Sequence, residues 1–241
     1  MKVVLEYDGS GFAGWQQQAH GRTVEAELKR ALREVTGVDH KVYAAGRTDA
    51  GAHAEGQVVS FETDGRIAPQ RLVAALNARL PKDVSVLSAE AAEDGFHARY
   101  SARWRRYRYR YLDRRARPAL ERGRCWHIAG PLDVGAMSVA SKALVGKHDW
   151  TSYCSASEPA AGRVREMRSV KVERRGDFVE LELVAEGFLR GLARSIAGAL
   201  AEVGRGRKPP EWVGEVLNAR DRRQAPRTAP AGGLTLVEVI Y

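Results

Sequence analysis

The stretch Gly46-Arg47-Thr48-Asp49-Ala50-Gly51-Ala52-His53-Ala54 holds the residue types in this chain best suited to chemistry. It lies between two apolar, β-type runs at 41–45 and 57–61. A polar loop set between strands can hold a carboxylate and a guanidinium at a fixed place above a sheet. Asp49 is the one acid of the loop, and Arg47 stands two residues before it. A placed carboxylate with no second acid, cysteine or metal-ligand set beside it points to nucleophilic or base chemistry, not metal catalysis. A plainer reading stands next to that one. Asp and Gly favour turns, because Asp bonds nearby backbone and Gly tolerates positive φ. Residue types alone leave both open.

A second candidate is the run Arg105-Arg106-Tyr107-Arg108-Tyr109-Arg110-Tyr111. As a strand it puts Tyr107, Tyr109 and Tyr111 on one face and Arg106, Arg108 and Arg110 on the other. Tyrosines in a core and arginines in water explain most of it. They do not explain ten arginines from Arg103 to Arg124 against Asp113 and Glu121. Such density near aromatics suits RNA, where bases stack on rings and arginines hold phosphates. Arg115, inside this stretch, is a candidate RNA contact. The third candidate is a helix read over 188–203. Gly187, Gly191, Ala193, Ala197 and Gly198 make it small-sided, so a backbone or a ligand can come close. Arg190 and Arg194 are four apart and share a face in that reading, either as a solvated stripe or as part of a site. His53 and His97 lack metal-ligand spacing and read as structural or RNA-contacting. A P-loop, a G-x-G-x-x-G loop and a Cys/His cluster are all missing from the sequence, so no metal, nucleotide or redox cofactor is expected.

These residues sit in a chain of 241 residues, long enough to bury a real core as one large or two small domains. Its 44% hydrophobic content fits a folded protein, and its net charge of +9 favours a polyanionic partner. Charge by itself does not separate RNA from DNA or an anionic membrane. No apolar run reaches the length of a membrane span. Glu6 comes too early for a signal-peptide core. Cys125 and Cys154 make neither a disulfide framework nor a metal pattern, so a reducing cytoplasm is the expected setting.

The elements that must position the candidates repeat in order. Residues 2–8 read as a strand. Thr23 caps a helix through about Val35, with Val24, Leu28, Ala31, Leu32 and Val35 on one face and Gly37 as its stop. Strands at 41–45 and 57–63 follow. Pro69 opens a second helix with a stripe of Leu72, Val73, Leu76 and Leu80, and 84–89 is a strand. The second half runs as a strand at 104–112, a helix capped by Asp133, strands at 164–173 and 178–184, the helix over 188–203, a shorter helix opened by Pro209-Pro210, and a strand at 234–241. The fold class is therefore α+β: two ferredoxin-like (RRM-like) β-α-β-β-α-β units with mostly antiparallel sheets. Residues 1–101 form the unit with the Asp loop, and 102–241 the unit with the Tyr strand and Arg helix. Two such sheets side by side would leave a central cleft where loops from both halves meet.

Gly-Arg-Thr-Asp-Ala-Gly-x-His resembles the active-site motif of the tRNA pseudouridine synthase A (TruA) family. Further matches follow in order: Glu6-Tyr7-Asp8-Gly9-Ser10 with Gly14-Trp15-Gln16, Phe96-His97-Ala98-Arg99-Tyr100-Ser101-Ala102, Arg105-Arg106-Tyr107-Arg108-Tyr109, Phe188, Arg194 and the Gly204 region. The resemblance implies the two-unit fold and its cleft, and an isomerase that turns uridine into pseudouridine on the 3′ side of the anticodon arm of tRNA. It implies a homodimer gripping one tRNA. It assigns Asp49 to the sugar, Tyr107 to stacking on the target uracil and to a part in proton abstraction, Arg194 to pairing with the Asp49 carboxylate, and Phe96, His97, Ala98, Arg99 and Tyr100 to tRNA contact. Arg47 is expected to enter the space that the flipped base leaves. The chain departs from the family at Arg190-Gly191, where two histidines are usual. At Ser157-Glu158-Pro159-Ala160-Ala161 it is apolar and acidic where relatives place RNA-contacting polar residues. Lys147-His148-Asp149-Trp150 reads as a loop that shapes the fold. Arg220-Asp221-Arg222-Arg223 reads as a solvated basic loop.

Two rivals come from other classes. A non-catalytic RNA-binding protein of two RRM-like units fits the aromatic and arginine strand, but the signature aromatic motif is absent and Asp49 would have no task. A nucleoside or RNA glycosidase would pair two carboxylates across the bond, and the sequence offers one.

Overall fold

The computed structural model describes residues 1–64, 67–225 and 227–241. In chain order the elements are β1 (Lys2–Tyr7), α1 (Val24–Thr36), β2 (Tyr43–Ala44), β3 (His53–Ser60), α2 (Pro69–Asn77), β4 (Val84–Glu90), β5 (Trp104–Leu112), β6 (Trp126–His127), α3 (Val134–Ser141), β7 (Gly146–Asp149), β8 (Val164–Arg175), β9 (Phe178–Ala185), α4 (Leu192–Gly204), α5 (Trp212–Ala219) and β10 (Leu234–Ile240). They gather into two units, Met1–Arg103 with Leu236–Tyr241, and Trp104–Thr235. None of the described helices is long and apolar enough to cross a membrane.

In the first unit the strand order is β4-β1-β3, with β2 and β10 both pairing with β3. Strand β1 is antiparallel to both its neighbours. The β4-β1-β3-β2 order is that of a β-α-β-β-α-β unit. Helix α1 starts where it does because Thr23 Oγ1 accepts the Ala26 N–H at 3.4 Å. It stops at Gly37, whose φ of 77° suits the left-handed cap that glycine takes without a Cβ clash. Val24, Leu28, Ala31 and Leu32 are its buried stripe. Helix α2 begins on Pro69 and buries Leu72 and Leu76. Its last residue, Asn77, meets the Val86 backbone twice, donating to O at 2.9 Å and accepting from N at 2.7 Å, which ties the helix end to β4.

In the second unit the order is β5-β9-β8-β7, antiparallel throughout, with the short β6 parallel to the end of β5. The tyrosine face of β5 is buried, and Tyr109 and Tyr111 are fully enclosed. Their hydroxyls still find acceptors: Tyr111 donates to Ala197 O on α4 at 2.9 Å, and Tyr109 to Pro230 O at 2.8 Å. A buried tyrosine needs such a partner, because an unmade buried hydrogen bond costs about 1–3 kcal/mol. On α4, Gly198 lets the 227–229 segment come close, since a Cβ there would stand 2.4 Å from Arg227 O.

Four expectations are corrected. The strand expected at 57–63 begins at His53, so His53 and Ala54 belong to β3 and the candidate loop shortens to 46–52. Helix α4 begins at Leu192. Gly191, with φ 76°, precedes it, so Arg190 lies on a loop and shares no helix face with Arg194. The 147–150 segment expected as a loop includes β7, which pairs with β8 as Lys147↔Glu166 and His148↔Arg165. The expected second domain, 102–241, gives up its last strand: Leu236–Tyr241 groups with the first unit. The reason is visible in contacts there. Arg103 N donates to Ile240 O at 2.8 Å, Tyr241 Oη donates to Ala98 O at 2.9 Å, and Gly56 lets the Val237 backbone come close.

Candidate active site

Backbone contacts and side chains both hold the Asp49 loop. Trp15 N donates to Thr48 O at 3.1 Å, Gly51 N to Phe12 O at 3.2 Å, and Ala52 N to Asp49 O at 3.0 Å. The segment that grips it is 8–15, and two glycines there make the grip possible. A Cβ on Gly9 would lie 1.8 Å from Ala52 O; one on Gly14, whose φ is 98°, would lie 2.9 Å from Thr48 O. Exposure alternates along the loop. Arg47 is exposed, Thr48 buried and Asp49 half-buried. Below it, Tyr7 Oη meets Thr48 Oγ1 at 2.7 Å, and Gln57 Nε2 donates to Gly46 O at 2.7 Å. Burial pushes the Tyr7 hydroxyl up to about 12, so it stays protonated through the physiological range. His53 Nδ1 accepts the Gly9 N–H at 3.1 Å and lies 3.2 Å from Asp8 Oδ1. That makes His53 part of the frame under the loop.

The 96–100 segment divides into core and surface. Ala98 is fully buried, its N–H given to Ser60 Oγ at 3.0 Å and its carbonyl taken by Tyr241. The expected tRNA contact by Ala98 is therefore corrected: its side chain is sealed in the core. Phe96 packs in the same cluster against Tyr241, with ring centroids 4.9 Å apart. His97 ties the segment together. Its ring lies 4.5 Å from Tyr43 and 4.4 Å from Tyr100, and its Nδ1 accepts the Arg99 N–H at 3.1 Å. Arg99 and Tyr100 are exposed, Tyr100 at 76%. These two can touch a polyanion by stacking and charge. Arg115 is likewise exposed, in the loop after β5.

In the second unit Tyr107 lies on β5, buried and opposite Leu183. Its ring and that of Phe188 meet edge-to-face, with centroids 4.6 Å apart. Such a pair gives a rigid apolar platform, one ring supporting the other. Arg194 projects from the first turn of α4. Its Nε donates to Ala229 O at 2.8 Å, and Ala229 N returns a bond to Arg194 O at 3.1 Å. Residues 227–230 thus form a strap that fixes the guanidinium along one edge. Its charge reaches Tyr109, whose hydroxyl burial pushes well above the ordinary tyrosine range while Arg194 works in the opposite direction.

The structure brings Arg47, Thr48 and Asp49 together with Tyr7, Gln57 and His53 in one unit, and Tyr107 with Phe188 in the other. Sequence reasoning missed several supports. Gly9, Gly14 and Tyr7 lay in the matched 6–16 stretch without a role; two glycines in a short polar segment were the signal that another backbone comes close. Arg222 read as solvated. It is half-buried, and its Nη2 donates to Thr228 Oγ1 at 3.0 Å and to Ser195 Oγ at 3.4 Å, joining the strap to α4. The acidic departure at Glu158 also gains a use: its carboxylate accepts the Arg190 N–H at 3.0 Å and anchors the loop carrying Phe188. Among the described residues, no three His, Cys, Asp or Glu side chains cluster to share a metal.

Known proteins supply the remaining comparison. The family model described as tRNA pseudouridine synthase matches residues 3–101 and 140–241. A tRNA pseudouridine synthase A from Moorella thermoacetica is 44% identical over 243 residues, covering 100% of this chain and 99% of the relative. One from Caulobacter vibrioides is 44% identical over 241 residues, with 100% and 98% covered. One from Thermoanaerobacter sp. is 39% identical over 239 residues, with 99% and 98% covered. With a family model over most of its length and full-length relatives at this identity, the chain belongs to the tRNA pseudouridine synthase family.

Proposed function

We infer that this chain is a tRNA pseudouridine synthase, an isomerase that converts uridine to pseudouridine within tRNA. The observation that carries the reading is the Asp49 loop: a half-buried carboxylate beside an exposed arginine, pinned by backbone contacts, in a chain of this family. The reaction breaks the N1–C1′ bond of uridine and joins C5 to C1′. The C5 hydrogen leaves to solvent and N1 takes up a proton, so the net change is isomerisation.

Each residue has a proposed part. The target base must leave its stack, because its glycosidic bond and C5 edge are otherwise hidden. Exposed Arg47 holds the vacated space. Asp49 acts on the ribose, either by attacking C1′ to form an ester or by taking the C2′ proton to give a glycal. Tyr107, backed by Phe188, stacks on the freed uracil so that it rotates and does not escape. Arg194, held by its strap, supplies the cation that keeps the Asp49 carboxylate ionised and aimed. Arg99, Tyr100 and Arg115 lie on the surface where phosphates and bases can meet them.

The uridines on the 3′ side of the anticodon arm, a homodimer that grips one tRNA, and a cytoplasmic setting complete the proposal. The family resemblance supports the first two. The net charge of +9 supports the tRNA partner, and the two free cysteines agree with a reducing compartment.

Release of tritium from tRNA carrying C5-labelled uridine tests the reaction. Asp49→Asn keeps the shape and removes the nucleophile or base. It should lower that release by at least ~10³-fold while tRNA affinity stays within about 2-fold. Appreciable turnover in the variant would remove Asp49 from the centre of the mechanism.

A further inference from the structure

We propose that Tyr7, backed by Gln57, is a positioning residue for the reaction, acting on the Asp49 carboxylate through the buried side chain of Thr48. This rests on the reading of Asp49 as the reacting group. Thr48 stands between an exposed Arg47 and a half-buried Asp49, and only 6% of it is exposed. It is anchored twice. Its hydroxyl meets Tyr7 Oη at 2.7 Å, and its carbonyl accepts the Trp15 N–H at 3.1 Å. Gln57, fully buried, donates from Nε2 to Gly46 O at 2.7 Å and to Tyr7 Oη at 3.4 Å. One chain of hydrogen bonds therefore runs from Gly46 through Gln57 and Tyr7 to Thr48, and the peptide that begins Asp49 hangs from its end.

The Gln57 amide donates to Tyr7 Oη, and either hydroxyl can donate in the Tyr7–Thr48 contact. The phenol stays neutral to about pH 12, so the tie does not come and go with ordinary pH. Strand geometry aims both partners. The β1–β3 pairing runs Leu5↔Gln57 and then Tyr7↔Ala54, so the register slips by one residue between them. A slip of this kind turns side chains out of the regular alternation, and bulges are common beside active sites. Gly56 lies within it, where the Val237 backbone leaves no room for a Cβ. Turning Thr48 about its backbone by a small angle moves the Asp49 carboxylate. Misplacement by about 1 Å is enough to cost ~10²-fold in rate.

The experiment compares Thr48→Val, Thr48→Ser, Tyr7→Phe and the double variant Tyr7→Phe/Thr48→Val. Three quantities are read on each: the single-turnover rate of tritium release at saturating enzyme, the tRNA dissociation constant, and the thermal midpoint. Thr48→Val is expected to slow the step ~10-fold or more with affinity within about 2-fold. Thr48→Ser, which keeps the hydroxyl, should regain most of the rate. The double variant should be no slower than the slower single, because both cut one chain. It should also recover thermal stability, since removing both buried partners is nearly neutral, while the rate stays low. A rate that recovers along with the midpoint would assign Tyr7 a structural role only and overturn the proposal. So would a Thr48→Val variant at the wild-type rate, or losses that multiply. A wild-type chain that releases no tritium would instead overturn the reading of function, and the positioning role with it.

Discussion

Asp49 sits on a loop that neighbouring backbone touches directly, whereas Arg194 sits on a helix whose guanidinium is steered by a strap thirty-five residues downstream. Contact of the first kind is steric and allows nothing larger than hydrogen at Gly9 or Gly14. Contact of the second kind is made of hydrogen bonds and admits intermediate degrees. The contrast suits the two proposed tasks. An atom that forms or breaks a bond tolerates little displacement, while a cation that stabilises charge loses its effect gradually with distance. Substitutions in the supports of Asp49 should therefore act as switches, and those in the supports of Arg194 as dials.

The strongest attack on that contrast is Gly9→Ala. The new Cβ would stand 1.8 Å from Ala52 O, so the loop or the 8–15 segment must move. The expected loss in single-turnover rate is ~10²-fold or more, with a stability cost of about 1–3 kcal/mol from overpacking. Gly37→Ala is the control. Nothing lies within 4 Å of its added Cβ, but its φ of 77° strains any other residue, so it should lower the thermal midpoint and spare the rate. A Gly9→Ala enzyme at full speed would show that the loop yields freely.

Arg222 probes the other side. Replacing it with Gln removes the fork that joins Thr228 and Ser195, and so loosens the strap whose Ala229 carbonyl holds Arg194. The step should slow by a moderate ~3- to 10-fold with tRNA affinity little changed, because the guanidinium tilts but stays in place. If Arg222 instead holds a phosphate, affinity will weaken and flatten in its salt dependence while the saturating rate stands. Comparing Arg222→Gln with Gly9→Ala sharpens the contrast, since equal losses would mean both supports behave alike.

Much of this was legible in the sequence where local chemistry decides. Thr23 and Gly37 bracket α1, Asp133 caps α3, and the Arg-Tyr alternation places β5 with its tyrosines inward. The loop motif announced itself through Asp49 and its flanking glycines. What stayed hidden depends on partners far along the chain. Nothing in residues 188–191 says that Gly191 turns left-handed and delays the helix, which removed Arg190 from the Arg194 face. Nothing near Arg222 says that Ser195 and Thr228 will surround it. Ala98 stands in a segment that resembles the family's tRNA-contacting motif, yet a backbone paired to Ser60 and Tyr241 turns its methyl inward. The last strand read as the end of the second unit because sequence order suggests it, while its pairing with β3 places Leu236–Tyr241 in the first.

The smallest expected effect tests a third way of fixing a loop, by charge. Asp113 directly follows β5, and its carboxylate takes both Arg174 Nη1 at 2.9 Å and Arg174 Nη2 at 2.6 Å. It also accepts the Leu132 N–H at 2.9 Å, which ties the far end of the 114–131 arm to the sheet. Burial alone would raise the Asp113 carboxyl; Arg174 and the Leu132 N–H outweigh it and hold the group below the ordinary aspartate range. A depressed folded value means that the stabilisation is complete above the unfolded value, near 3.9, and fades as the pH falls through the folded one. Asp113→Asn lacks this proton linkage. The stability gap between wild type and Asp113→Asn, read from urea midpoints, should be constant above about pH 5 and shrink on acidification below about pH 4. Arg174 is partly open to water, so the gap should be modest and should narrow in high salt. The Tyr7–Thr48 tie carries no charge until about pH 12, so mild acid should leave it in place while it loosens the Asp113 arm. Hydrogen exchange followed over both segments at pH 5 and pH 3 decides it: parallel loosening of the two would mean that charge holds the Asp49 loop as well, and the contrast between packed and charged supports would fall.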